Sequence, residues 1–254
     1  MKKIITFLKK LLPKKAVKID LQFPTDWESM SYANFKDVCI ILSTPRGRKE
    51  TLFLCLCKLT GLTPDNPGKY DPKSMTNKLA FRHNGKSYII GASSIQAACS
   101  ELSYILDSIG LPPCPFPHIH QKLYGVSFEK YYYADSLMLR AMAENNEGYY
   151  KEVAKSLTNG QKRKLLPWER KALVIWWNGL KHYMMQQYPH VLETGENISD
   201  RTQAELLQDL LSFMNDNKPQ ENEKILKTDV HSVMYSLNNI YNNAKQRQSA
   251  AHHQ

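Results

Sequence analysis

From residue 127 onward the apolar positions recur at helical spacing with little interruption. Phe128, Tyr131, Tyr132, Met138, Leu139 and Met142 fall into one stripe, and Leu173, Trp176, Trp177, Leu180, Tyr183 and Met184 into a second. Val230, Val233, Met234, Leu237, Ile240 and Tyr241 make a third. The punctuation fits these stripes. Ser127 precedes the first, and a second helix is expected near Glu147. Pro167 stands at the first turn of the third helix, with Pro189 beyond its end. A fourth follows Asp200, and Thr228 is placed to cap the last.

The first 110 residues mix two periods. "AVKIDLQF" alternates and predicts a short strand. "PTDWE" follows, with Thr25 and Glu28 at capping-box spacing, and Ser31 offers a second N-cap for a helix that buries Phe35, Val38, Cys39 and Leu42. Trp27 stands in the turn between strand and helix, where a large ring can close one end of a core. "KETLFLCLCKLTG" predicts a helix ended by Gly61, and residues 62–77 an irregular loop. The sharpest local signal is "KLAFRHNGKSYIIG". Asn84-Gly85 demands a type I′ turn, which pairs Phe81 with Tyr88 and Leu79 with Ile90 on one face that must cover a helix. A two-stranded hairpin is marginal alone, so the early strand is a candidate third member. "SSIQAACSELSYILDSIG" predicts one helix stopped by Gly110.

These elements predict an α+β fold that is predominantly α-helical, with a small antiparallel hairpin sheet in the N-terminal half and a helical C-terminal half. The expected organisation is a basic amphipathic arm (1–17), an α+β subdomain (18–111) with its hairpin at 78–91, and a Pro-rich linker (112–126). A helical subdomain (127–247) and a frayed tail (248–254) complete it.

Charge changes the picture at one place. The net charge of +10 gains seven of its units from Lys2, Lys3, Lys9, Lys10, Lys14, Lys15 and Lys18, with no acid among them. The rest of the chain is nearly balanced, so nucleic-acid binding by the body is not expected. The same arm is amphipathic. Ile4, Ile5, Phe7, Leu8, Leu11 and Leu12 lie on one face and the lysines on the other, until Pro13. An arm docked on its own protein, on a second copy or on a partner, a membrane-surface helix, and a disordered basic arm all fit this pattern. Protein contact through Ile4, Phe7, Leu8, Leu11 and Leu12 is the expectation, and a membrane surface is open only to this segment. No apolar run approaches the ~20 residues of a membrane span. Five cysteines without regular spacing read as reduced, buried thiols. Both features predict a cytoplasmic protein.

Candidate chemistry is sparse. Cys114, His118 and His120 match no standard zinc spacing and lack an evident fourth ligand. His83 beside the hairpin turn is expected in solvent. There is no phosphate loop, no nucleophile motif and no paired-carboxylate pattern, so the expectation is a protein that is not an enzyme and takes no metal or cofactor. Asp135 is the odd polar residue, in the middle of the first helical stripe. A carboxylate there needs a partner, and a Tyr hydroxyl or a helix N-terminus is expected. "QKRKLLPWERK" is the second basic cluster and carries, with the arm, the alternative reading of a nucleic-acid-binding accessory protein.

The order of motifs resembles small proteins encoded in the tail-morphogenesis modules of phages and prophages. "LQFPTDWESMSYANFKDVCIIL" is similar to their opening strand, Pro-x-x-Trp turn and helix. "LPPCPFP", "YGVSFEKYYYADSLMLRAM", "WWNGLKHYMMQQYP" and "LLSFMNDNKPQENEKIL" follow in the same order, spanning most of residues 18–245. The resemblance implies a non-enzymatic role in tail assembly in the host cytoplasm, as a chaperone that binds another tail protein. The basic arm before residue 18 has no counterpart in that pattern.

Overall fold

The computed structural model describes residues 21–65, 78–107, 110–161, 164–192, 203–215 and 217–251. The N-terminal arm, with Ile4, Phe7, Leu8, Leu11 and Leu12, therefore lies outside the described residues, as does the end of the C-terminal tail.

The elements in chain order are α1 (Tyr32–Leu42), α2 (Arg48–Thr60), β1 (Thr63–Pro64), β2 (Lys78–His83), β3 (Lys86–Gly91), α3 (Ala92–Glu101) and α4 (Tyr104–Asp107). Then come α5 (Phe128–Glu144), α6 (Glu147–Leu157), α7 (Pro167–Gln187), α8 (Pro189–Leu192), α9 (Gln203–Met214), α10 (Asn222–Lys227) and α11 (Val230–Ala251). The fold is α+β and predominantly helical, with one three-stranded antiparallel sheet in the order β1-β2-β3.

The chain divides into two compact units. The first comprises Met1–Asp26 and Thr44–Asp107; the second comprises Trp27–Ser43 and Ser108–Gln254. This corrects the contiguous division at a Pro-rich linker. Helix α1 belongs with the C-terminal helices, because it packs along α7, where the Lys36 ammonium lies 5.3 Å above the Trp168 ring. Residues 112–126 are not a linker either. Cys114, Phe116, Leu123 and Val126 are buried in the core of unit 2.

In unit 1 the hairpin has the expected register, with Leu79 opposite Ile90 and Phe81 opposite Tyr88. Asn84 (φ 48°) and Gly85 (φ 73°) form its turn. Phe81 and Ile90 are buried, and Phe81 meets Phe53 of α2 at 6.1 Å between ring centroids. Of the predicted early strand, residues 16–20 lie outside the described residues; residues 21–24 have no regular structure, and the Tyr104 hydroxyl donates to the Pro24 carbonyl at 3.0 Å. Among the described residues, Thr63 and Pro64 supply the third strand, pairing with Arg82 and Phe81. The helix predicted from Ser93 to Gly110 breaks at Leu102–Ser103 into α3 and α4. His83 is half-buried rather than exposed, because its ring folds over Gly61 at the end of α2.

The segment from Thr25 to Glu28 forms bends and a turn, not a capped helix; in unit 2 the Met30 N–H bonds to the Trp27 carbonyl at 3.3 Å. Ser31 is the N-cap, accepting from the Asn34 N–H at 3.2 Å. Trp27 is fully buried and meets Phe35 edge-on at 5.7 Å. The stripe on α5 is shifted from the predicted one. Leu139 and Met142 are exposed, and Ala134, Leu137 and Ala141 take the inward positions. Small residues there let helices approach closely. At the start of α11 the cap is Asp229, whose carboxylate accepts from the His231 N–H at 2.9 Å, and not Thr228, which ends α10.

Candidate functional site

Asp135 is placed by α5 and its partners by α7. Its Oδ1 accepts from the Trp177 indole N–H at 3.1 Å and its Oδ2 from the Lys181 ammonium at 2.9 Å. Lys181 also donates to the Tyr131 hydroxyl at 3.3 Å, and the Tyr131 ring stacks on Trp177 at 5.9 Å. The partners are thus an indole and an ammonium four residues apart on one helix, not the expected Tyr hydroxyl or helix N-terminus. That Trp177–Lys181 spacing was visible in the sequence. Burial pushes the Tyr131 phenol up to about 12, with Asp135 raising it further and Lys181 opposing. Burial alone would lower the Lys181 ammonium, but Tyr131 and Asp135 outweigh it and hold the group above its ordinary value. Both changes favour a charged, paired lysine and a neutral phenol. The cluster is a satisfied polar network, without an activated nucleophile.

A second cluster was not legible in the sequence. His231 on α11 is buried. Its Nε2 faces the Lys122 carbonyl at 2.5 Å, and its Nδ1 faces the Tyr188 hydroxyl at 2.8 Å. A carbonyl only accepts, which assigns a proton to Nε2; in the neutral ring Nδ1 then accepts from the phenol. The Tyr124 ring lies 4.3 Å away, and the Tyr124 and Tyr183 hydroxyls are 3.3 Å apart. A phenol beside an imidazole could mark a nucleophile and its base. The Tyr188 phenol is raised, however, by burial first and then by Tyr124 and Asp229, which disfavours the phenolate. Asp229 does not orient the imidazole ring; it binds backbone N–H groups of His231 and Gly125, the latter at 2.6 Å. Trp176 adds an indole bond to the Gln121 carbonyl at 2.9 Å. These bonds clasp loop 120–126, in which Leu123 is fully buried at φ 64°, a conformation that a bulky side chain holds only when its surroundings impose it.

The third feature is a groove on the outer side of α5, bounded by α6 and α9, with a volume of about 670 Å³. Tyr132, Leu137 and Leu207 give it apolar walls, and Glu129, Lys130 and Arg140 a mixed-charge rim. Tyr133 projects into it while 51% exposed. The Tyr132 ring lies 6.0 Å from that of the buried Phe128.

Other sequence candidates are not brought together. Cys114 is buried, its sulfur accepting from the Phe116 N–H at 3.4 Å, whereas His118 and His120 are exposed. Cys55 and Cys57 lie on well-separated sides of α2 yet are both buried, because that helix is covered on most of its circumference. Burial, and secondarily Cys99, pushes both thiols up to about 12, and burial takes Cys99 to about 11 and Cys114 to about 12. Such thiols are poor nucleophiles. In the second basic cluster, Arg170 is ion-paired with Glu147. Among the described residues, no group of three or more His, Cys, Asp or Glu side chains could hold a metal, and no helix is long and apolar enough to cross a membrane.

Comparison with family models, with curated proteins and with solved structures yields no match in any of the three.

Proposed function

We propose that this protein is a non-catalytic binding protein of phage-type tail assembly, which receives an amphipathic helical segment of a tail component in the groove on α5. The observation that carries the binding reading is the groove itself: apolar walls, a mixed-charge rim and an exposed Tyr133, a composition suited to the apolar face of a helix. The tail-assembly context rests on the order of motifs described for the sequence. The titratable clusters support the non-catalytic part, because their phenols and thiols are shifted away from reactivity.

The test is site-specific photo-crosslinking. A benzophenone side chain replaces Tyr133, which is exposed enough to accept it, and the full chain is produced in cells that also make the tail proteins. The expected adduct joins the groove to a helical segment of a tail protein. Adducts confined to nucleic acid, or protein adducts no more frequent from position 133 than from the same probe at Tyr235, would overturn the proposal.

A further inference from the structure

We propose that the edge of β3, which no strand among the described residues covers, is a docking strand that takes an extended segment of a partner protein by antiparallel β-addition. The proposal stands apart from the groove, since it rests only on unit 1.

The hairpin register determines which backbone groups are free. In a two-residue hairpin the pair flanking the turn, here His83 and Lys86, is hydrogen-bonded, and bonded and non-bonded pairs then alternate. Phe81–Tyr88 and Leu79–Ile90 are therefore bonded pairs. Ser87 and Ile89, in the alternate pairs, turn their N–H and C=O groups away from β2. The opposite strand verifies the alternation: Ala80, facing Ile89, directs its carbonyl outward to the Asp65 N–H at 3.0 Å. On that side β1 takes up the outward groups. On the β3 side no strand among the described residues does.

The side chains specify what fits. Ile89 is 72% exposed, more than any other large apolar side chain among those described as exposed, and Tyr88 on the other face is half-buried. An added strand with apolar residues at two adjacent positions covers both, one on each face. Lys86 is exposed and makes no described ion pair at the start of β3. An antiparallel guest brings its C-terminal end there, so an acidic residue or a carboxylate is favoured at that end. The α3 helix starts at Ala92 and limits the edge to about five residues, some 17 Å of strand. A contact of that length and one strand deep falls short of the ~1,200 Å² that a specific dimer buries. A peptide segment, rather than a second copy of the chain, is the occupant that it suits.

Amide hydrogen exchange on the full chain separates the cases. The probes are blocked hexapeptides of the pattern Thr-Val-Val-Thr-Val-Glu, varied at the adjacent valines, and the same peptides N-methylated on the edge-facing nitrogens. At saturating peptide, exchange at Ser87 and Ile89 is expected to slow at least tenfold, while Tyr88 and Ile90, already bonded to β2, change little. The N-methylated peptides and the Ile89→Lys variant should lose the effect. Slowing by no peptide, or equal slowing at all four amides, overturns the proposal. So does protection of Ser87 and Ile89 without peptide: if it rises with protein concentration, the occupant is a second copy, and if it does not, the chain covers its own edge.

Discussion

In unit 1, the buried hydroxyls on the central helix bond close by in sequence; in unit 2, buried indoles reach across to other elements. On α2 the buried Thr51 and Thr60 donate to the Gly47 and Leu56 carbonyls, four residues back along the same helix. On α7 the two buried indoles bond to Gln121 and Asp135, more than forty residues away in sequence. Unit 1 is therefore specified by turns and caps, namely Gly61, Asn84 and Gly85. Unit 2 is specified by long-range polar contacts that fix how its helices and its Pro-rich segment meet. Local devices lose about as much as one residue contributes when they are broken, whereas a long-range contact transmits its loss to two elements at once.

The largest effect is expected at Gly179 on α7. A Cβ there would stand 2.4 Å from the Gly110 carbonyl oxygen and 2.7 Å from Pro112 Cδ, and backbone cannot move aside as a flexible side chain does. Gly179→Ala should destabilise by about 3 kcal/mol or more, read as the urea midpoint of unit 2. A change below about 1 kcal/mol would mean that the 110–112 segment is not held against α7.

Next is the Asp135 network. Lys181→Met strands a carboxylate in a partly buried site. Because the two side chains are 29% and 20% exposed, solvent screening limits the cost to about 1–2 kcal/mol. Adding Asp135→Leu should restore much of it, a coupling visible in a double-mutant cycle. If the double variant is no better than the sum of the single ones, Asp135 and Lys181 do not act as a pair.

Smaller losses are expected in unit 1. A Cβ at Gly85 meets nothing within 4 Å and one at Gly61 meets only the His83 ring at an ordinary contact of 3.7 Å, so in Gly61→Ala and Gly85→Ala the left-handed backbone, at φ 70° and 73°, is what resists the change, at about 1 kcal/mol each. Thermal unfolding of each variant measures it. A loss as large as that of Gly179→Ala would place long-range contacts at these turns too.

The remaining dependence is on pH, and it grows as pH rises. Cys55, Cys57 and Cys114 (about 12), Cys99 (about 11) and Tyr131 (about 12) all have raised values in the folded chain. The unfolded chain then loses protons first, near pH 8.5 for thiols and pH 10 for phenols. Stability is fully present below about pH 8.5 and falls as pH rises toward 11–12, with three of the four thiols in unit 1. Denaturant midpoints between pH 7.5 and 10.5 that stay flat would contradict this.

What was legible follows the same division. The hairpin could be read to the residue because Asn84-Gly85 leaves one register. The helices after residue 127 could be read because their stripes are long. Thr63–Pro64 could not, since a two-residue strand has no period, and neither could the break at Leu102–Ser103, where no Gly or Pro interrupts the helical pattern. Cys114 and Phe116 looked like parts of a linker because proline density signals irregular backbone, which is not the same as exposure. Asp135 was recognised as needing a partner, but a partner across helices depends on packing. His231 gave no signal, as a lone histidine on a helix is defined only by the carbonyl and phenol that the fold brings to it.

Whether the groove on α5 binds protein is settled by the salt and nuclease dependence of crosslinking from position 133. An apolar seat predicts that the adduct is a protein, with a yield that nuclease does not change and that holds between about 50 and 200 mM salt. A yield that collapses over that range, or an adduct that disappears with nuclease, would contradict it and favour a nucleic-acid partner.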